Sequence, residues 1–266
     1  MALLEIIKEI WQNRHRMIRV VIFDIKIENR SLYLGTLWKI LTPFFQIATF
    51  WLIFGLGIRG GVPIDDFPFF VWLLAGIVPW FFISRGIMSG SSSITRKAGI
   101  IFKIKYPIST VPVGEVIHSL YDHVIILIIM TVIFFFYGLY PSIYWFNLIY
   151  YIFFTFVFLT AVTMILSVVV RLAPDFERFL GSLLQMLFFL TPILWQETYL
   201  PPWVLRIFSA NPIRYIVMGF RNSLLYQANF FDFPWRIAFF WPMTIVLFIF
   251  GCWLQRKFAH RFVDWM

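Results

Sequence analysis

The sequence predicts an all-α integral membrane protein: six transmembrane helices, an N-terminal amphipathic interfacial helix, and short re-entrant helices before the last span. Three observations carry this. Hydrophobic residues make up 61% of the 266 positions and charged residues 13%, roughly half the charged share of a soluble domain. That leaves too little polar surface to face water on all sides. Long stretches contain no Asp, Glu, Lys or Arg, and the net charge of +9 is concentrated between them in alternate loops.

A spanning helix needs about 20 mostly apolar residues, because the hydrocarbon core is about 30 Å thick. The amphipathic segment comes first. From residue 3 to 29, Leu3, Ile6, Ile7, Ile10, Met17, Val21 and Ile25 recur at helical spacing with charge on the other face, so residues 1–36 form an interfacial helix. The charge-free stretches Ile40–Ile58 and Phe67–Ser84 supply spans at about 37–58 and 67–88. Val124–Val170 is twice too long for one span and holds Tyr137-Gly138-Leu139-Tyr140-Pro141-Ser142 at its middle. That is turn chemistry, so two spans, about 117–138 and 143–170, meet in a tight hairpin. Spans at about 179–196 and 236–256 complete the six-span domain, residues 37–266, with a cytoplasmic loop at 90–115 and an external region at 197–235. Within that region Asn211 is placed to cap a helix that has Pro212 at its first position. It is short and carries Arg214 and Arg221, so it dips without crossing.

Basic residues set the orientation. With the N-terminus inside, the inner loops collect most of the Lys and Arg, and Arg59, Arg206, Arg214, Arg221 and Arg236 remain outside. Both termini are then cytoplasmic in a multi-pass plasma-membrane protein. No signal-peptide pattern opens the chain, and the lone Cys252 permits no intrachain disulfide.

Several function classes lose support. No Gly is followed by Lys, so there is no P-loop. The histidines His15, His118, His123 and His260 fall in no metal-ligand pattern, which argues against a metal site. All thirteen Asp and Glu lie outside the charge-free stretches, whereas an ion-coupled carrier buries an acid among its helices. A membrane hydrolase or transferase needs a polar catalytic set, and none is visible. The chain reads as a non-enzymatic passage driven from elsewhere, with no catalytic residue and no cofactor of its own.

Ordered landmarks then read together: Ile25–Trp38 running into Leu41-Thr42-Pro43; Ile104-Lys105-Tyr106-Pro107; Asp175-Phe176-Glu177-Arg178; Thr191-Pro192-Ile193; and Asn211-Pro212 followed by Tyr215 and Arg221. In this order and spacing the chain resembles the permease subunit of ABC-2 type polysaccharide exporters, most closely the wall teichoic acid translocation permeases. O-antigen and capsular polysaccharide permeases share the same landmarks. The resemblance implies a homodimer that pairs with two copies of a separate ATPase subunit, where ATP and Mg bind. It also implies a substrate that is a glycopolymer linked to undecaprenyl diphosphate, moved outward as by a flippase during cell wall biogenesis. A small-molecule ABC-2 exporter is the nearer rival, but those often carry a large external domain after the first span, where only Gly57–Pro68 intervenes here.

Three residue sets follow. In the loop, Arg96, Lys97, Phe102, Lys103, Lys105, Tyr106 and Pro107 make an apolar knob ringed by charge, which suits docking on the ATPase; the plainer alternative is a positive-inside loop resting on lipid. Arg30, Lys39 and Arg85 flank the inner ends of the first two spans and are candidates for the diphosphate; otherwise they snorkel to headgroups. Phe45, Gln46 and Phe50 of the first span and Gln185, Phe188 and Phe189 of the fifth combine an amide with aromatics, a surface suited to sugars, although any one aromatic is as readily lipid-facing. Asp175, Glu177 and Arg178 at the start of the fifth span, and Glu115, His118 and Asp122 at the start of the third, read as helix-terminal charges.

Overall fold

The computed structural model describes residues 2–30, 33, 35–58, 60–103, 106–197 and 201–264. It is all-helical among the described residues. Helices α1 (Ala2–Gln12) and α2 (Arg14–Arg30) lead into α3 (Trp38–Phe50), which continues as a π-helical segment, Trp51–Ile58. Then come α4 (Phe69–Ser91), α5 (Ser93–Arg96), α6 (Ala98–Lys103) and α7 (Thr110–Phe136). After them stand α8 (Asn147–Leu172), α9 (Phe176–Leu190), α10 (Pro202–Ser209), α11 (Pro212–Leu224) and α12 (Pro234–Asp264).

Five helical stretches among the described residues are long and apolar enough to cross a membrane: Trp38–Ile58, Phe69–Ser91, Thr110–Phe136, Ile143–Leu172 and Pro234–Phe258. The expected fifth span, 179–196, is shorter as a helix. Helix α9 has 15 residues, about 22 Å of rise. Pro192 stops it, because the residue before a proline is driven to extended backbone, and Thr191 has ψ 139. The chain still travels the height of the bundle, for it starts beside the C-terminus of α8 and ends where Gln196 donates to Asp65, at the N-terminal side of α4.

The turn between α7 and α8 falls where glycine demands it. Gly138 adopts φ +75, and Leu139 N–H donates to Phe134 carbonyl, closing a left-handed helix end. Helix α7 begins at Thr110 rather than near 117. This puts Glu115, 6% exposed, and Asp122, 3% exposed, inside the bundle, so the expectation that the acids lie outside the spans is corrected. Each has a cationic partner that makes its burial tolerable.

Helix α4 is the central pillar, buried from Val71 to Trp80. Glycines let neighbours close on it: an added Cβ at Gly90 would strike the Thr163 side chain of α8, and one at Gly86 would stand 2.8 Å from Leu159. Small residues serve this purpose where lipid gives helices no hydrophobic reason to associate. At the outer end Tyr150 and Tyr215 hydroxyls meet at 2.9 Å and Trp241 Nε1 donates to Tyr150 at 2.9 Å, joining α8, α11 and α12. Helix α11 is capped by Asn211, which accepts from Ile213 N–H at 2.9 Å. It begins beside Thr191, and the chain just beyond it returns to the outer end, where Tyr226 donates to Asp65 at 2.8 Å.

The N-terminal segment differs from a single interfacial helix. It breaks at Asn13 into α1 and α2. Its apolar residues serve two surfaces: Ile6, Met17 and Val21 are buried in protein, whereas Leu4, Trp11, Phe23 and Ile27 stay exposed. Gly114 of α7 gives Met17 and Val21 room to seat.

Candidate functional site

The inner ends of α2, α3, α4 and α7 enclose a charge cluster. Lys39 of α3 is buried, with Nζ 3.0 Å from Glu28 Oε2 and 2.8 Å from Asp122 Oδ1. Arg85 of α4 places Nη2 3.1 Å from Glu28 Oε1 and 2.7 Å from Asp122 Oδ2. His118 Nε2 stands 3.1 Å from Glu28 Oε2. Helical spacing explains the convergence: His118 and Asp122 are four apart on one face of α7, and Lys39 sits in the first turn of α3. The neighbouring His118, then Lys39 and the charge of Arg85, hold the Glu28 carboxyl well below the usual carboxylate range, against the cost of its burial.

A cavity of about 450 Å³ opens beside this cluster. Its polar side is Glu28, Lys39, Arg85, Ser119 and Asp122; its other walls include Trp38, Gln46, Phe81 and Phe82. A second cavity, about 420 Å³, lies on the far side of Glu28, Arg85 and Ser89 and reaches Asp24, Arg96, Lys97, Glu115 and His118. A third, about 280 Å³, is an apolar crevice between α3, α4 and α7; it shares Pro43 and Ile126 with the first and runs outward to Trp51, Phe70 and Tyr137.

Of the three candidate phosphate binders, Lys39 and Arg85 are brought together, and Arg30 is not: it is exposed at the end of α2. The sequence reading missed that Glu28 and Asp122 already oppose the two cations. A visible signal existed, since Asp122 and His118 stand four apart in a helix otherwise apolar at its outer end.

The loop residues divide. Lys97 is bound inward, 2.6 Å from Asp24 and 2.8 Å from Glu115, and these carboxylates hold its pKa above the usual lysine value despite burial. Tyr106 is 6% exposed, packed with Ile94, Ile101, Val111 and Val168. Both tie the loop to the bundle. Arg96 is half-exposed and reaches Glu115 at 3.3 Å; Pro107 is half-buried. Lys105 and the side chains of Phe102 and Lys103 lie outside the described residues.

The six expected passage residues fall on one pair of helices. Phe50 of α3 stacks on Phe188 of α9 with centroids 5.0 Å apart. Phe188 is buried by this contact, whereas Phe45, Gln46, Gln185 and Phe189 remain exposed. Thus α3 and α9 meet at Phe50 and Phe188 and leave one amide each exposed, that of Gln46 on the wall of the 450 Å³ cavity.

A family model described as "ABC-2 type transporter" matches residues 24–225. The chain belongs to the ABC-2 type transporter family. The ABC-2 membrane domain carries no nucleotide-binding site, needs no cofactor on its own chain and implies an ATPase partner. Among curated relatives, the O-antigen export system permease protein RfbA of Myxococcus xanthus is 28% identical over 195 residues, 73% of each chain. A protein of the same name from Klebsiella pneumoniae is 25% identical over 246 residues, 91% of each.

Proposed function

We propose that this chain is the membrane subunit of an ATP-driven exporter that moves a lipid-linked polysaccharide of the O-antigen kind across the plasma membrane. The carrying observation is the likeness to permeases named for O-antigen export over as much as 91% of both chains. These relatives favour the O-antigen reading over the wall teichoic acid one that the sequence landmarks first suggested. Two features of the geometry support a long amphiphilic substrate. The exposed face of α3 and α9, with Gln46 and Gln185 among aromatics, suits a passage shared between two copies. The cavity holding Lys39 and Arg85 lies at the inner end, where a diphosphate-linked lipid, an undecaprenyl diphosphate for example, would enter. Two ATPase subunits bind from the cytoplasm, and both termini of the permease face that side.

The test is chemical. The gene is deleted in the native cell, and the glycolipid that accumulates on the inner leaflet is hydrolysed and analysed. A repeating heteropolysaccharide on a diphosphate lipid is expected. A poly(alditol phosphate) restores the teichoic acid reading, and no accumulation with normal surface polymer contradicts the proposal.

A further inference from the structure

Glu28 occupies an unusual place. Its carboxylate faces three groups suited to an anion, Lys39, Arg85 and His118, and it lines both the 450 Å³ cavity and the 420 Å³ cavity next to the inner loop. It is a partition between them. Its side chain is 38% exposed, so it has water to move into, whereas Asp122, at 4%, has none. Ser119, 2% exposed, has an enclosed Oγ without a hydrogen-bond partner on the cavity wall. A buried hydroxyl of this kind is an unfilled contact. The apolar crevice continues the first cavity outward along α3 and α7, from Ile126 to Tyr137 just past the end of α7, about 16 Å.

We infer that the seat held by the Glu28 carboxylate is a binding site for the phosphate headgroup of an isoprenoid diphosphate lipid, with the lipid chain in the α3–α4–α7 crevice, and that Glu28 is its intramolecular competitor. A doubly or triply charged diphosphate outcompetes one singly charged carboxylate for Lys39 and Arg85, because it brings more negative charge and more acceptor oxygens to the same two cations. Asp122 stays behind and keeps both cations oriented. Since its neighbours hold Glu28 ionised, protonation does not vacate the seat at ordinary pH; an anion must. Asp24 lies one helical turn before Glu28 on the same face of α2 and holds Lys97 of the inner loop at 2.6 Å. A shift of α2 on displacement of Glu28 therefore loosens the loop from the bundle. Headgroup occupancy is thereby reported to the segment nearest the ATPase. The lipid's identity rests on the export reading above; the competition does not.

The test uses the full chain in neutral-lipid nanodiscs and measures binding of labelled geranylgeranyl diphosphate. Wild type is expected to bind, Glu28→Gln about tenfold more tightly, and Arg85→Gln at least tenfold more weakly. Inorganic pyrophosphate should bind at least tenfold more weakly than the lipid; equal affinity overturns the role of the crevice. Phosphatidylglycerol that competes as well as the diphosphate overturns the lipid assignment. Unchanged or weaker binding by a folded Glu28→Gln overturns the competition, even where the chain exports polysaccharide. Spin labels at Ile27 and Tyr121 in wild type supply a second readout that does not depend on the folding of Glu28→Gln. Their separation should lengthen with geranylgeranyl diphosphate and not with geranylgeraniol, and an unchanged distance contradicts displacement. A polymer analysis that rejects export while these results hold leaves the lipid phosphate site standing and removes only its transport role.

Discussion

Arg221 is a cation that the sequence assigns to an external segment, yet it is among the most buried side chains, 1% exposed. Its guanidinium lies 3.3 Å above the Trp72 ring and donates to the carbonyls of Pro192 at 2.5 Å and Ile193 at 2.7 Å. Those carbonyls are free because α9 has just ended at Thr191, and Gly76 leaves room for the guanidinium against α4. The residue thus bolts the end of α9 and α11 to the central helix. Arg221→Met strands two buried acceptors, about 1–3 kcal/mol each. Thermal unfolding in detergent should drop by about 5–15 °C, and Arg221→Lys should fall between, lacking the planar fork. The ion pairs of α2 give a pH prediction. Glu28 has a lowered pKa, so its contribution is full above the unfolded value and lost as pH falls through the folded one. Lys97 has a raised pKa, so its contribution is full below the unfolded value and lost as pH rises through the folded one. Attachment of α2 should therefore be flat from about pH 5 to 10, and limited proteolysis near Asn13 should increase only outside that window.

At the scale of elements, close approach of α4 and α8 rests on Gly86 and Gly90, which meet Leu159 and Thr163. Gly90→Leu should force these helices apart, and overpacking of this kind costs about 1–3 kcal/mol or more. The measurable result is a lower melting temperature and reduced yield of monodisperse protein. Gly99, with nothing near its Cβ position, should accept Ala without loss. Long apolar elements were legible because charge-free length and the turn at Gly138 are local properties. The break of α9 at Pro192 and the split of the N-terminal helix at Asn13 were not. The first depends on Arg221 donating to the freed carbonyls from a distant helix. The second depends on α1 and α2 packing against different partners, α12 and α7, which no hydrophobic period reveals. The anchoring of the loop was hidden for the same reason: the partners of Lys97 and Tyr106, among them Asp24, Glu115 and Val168, come from three other helices.

At the scale of the whole molecule, much of α3 and α9 has no cover among the described residues. Phe45, Leu52, Ile53, Phe189 and Leu190 are exposed, Gln46 opens on the cavity beside Lys39, and lipid alone gives Gln185 no hydrogen-bond partner. Cysteines at Gln46 and Gln185 should therefore cross-link identical subunits in membranes; labelling of both by a lipid-soluble thiol reagent without any cross-link would place the subunit contact elsewhere. The cavity beside Lys39 was only half legible, because its cations were visible and the carboxylates that occupy them come from α2 and α7. The most direct measurement reconstitutes the chain with its ATPase in proteoliposomes and follows a fluorescent lipid-linked polysaccharide. The account predicts ATP-dependent movement of the polymer between leaflets, abolished when the Gln46 and Gln185 cysteines are cross-linked. ATP hydrolysis with no movement of the polymer, or movement undiminished by complete cross-linking, would contradict it.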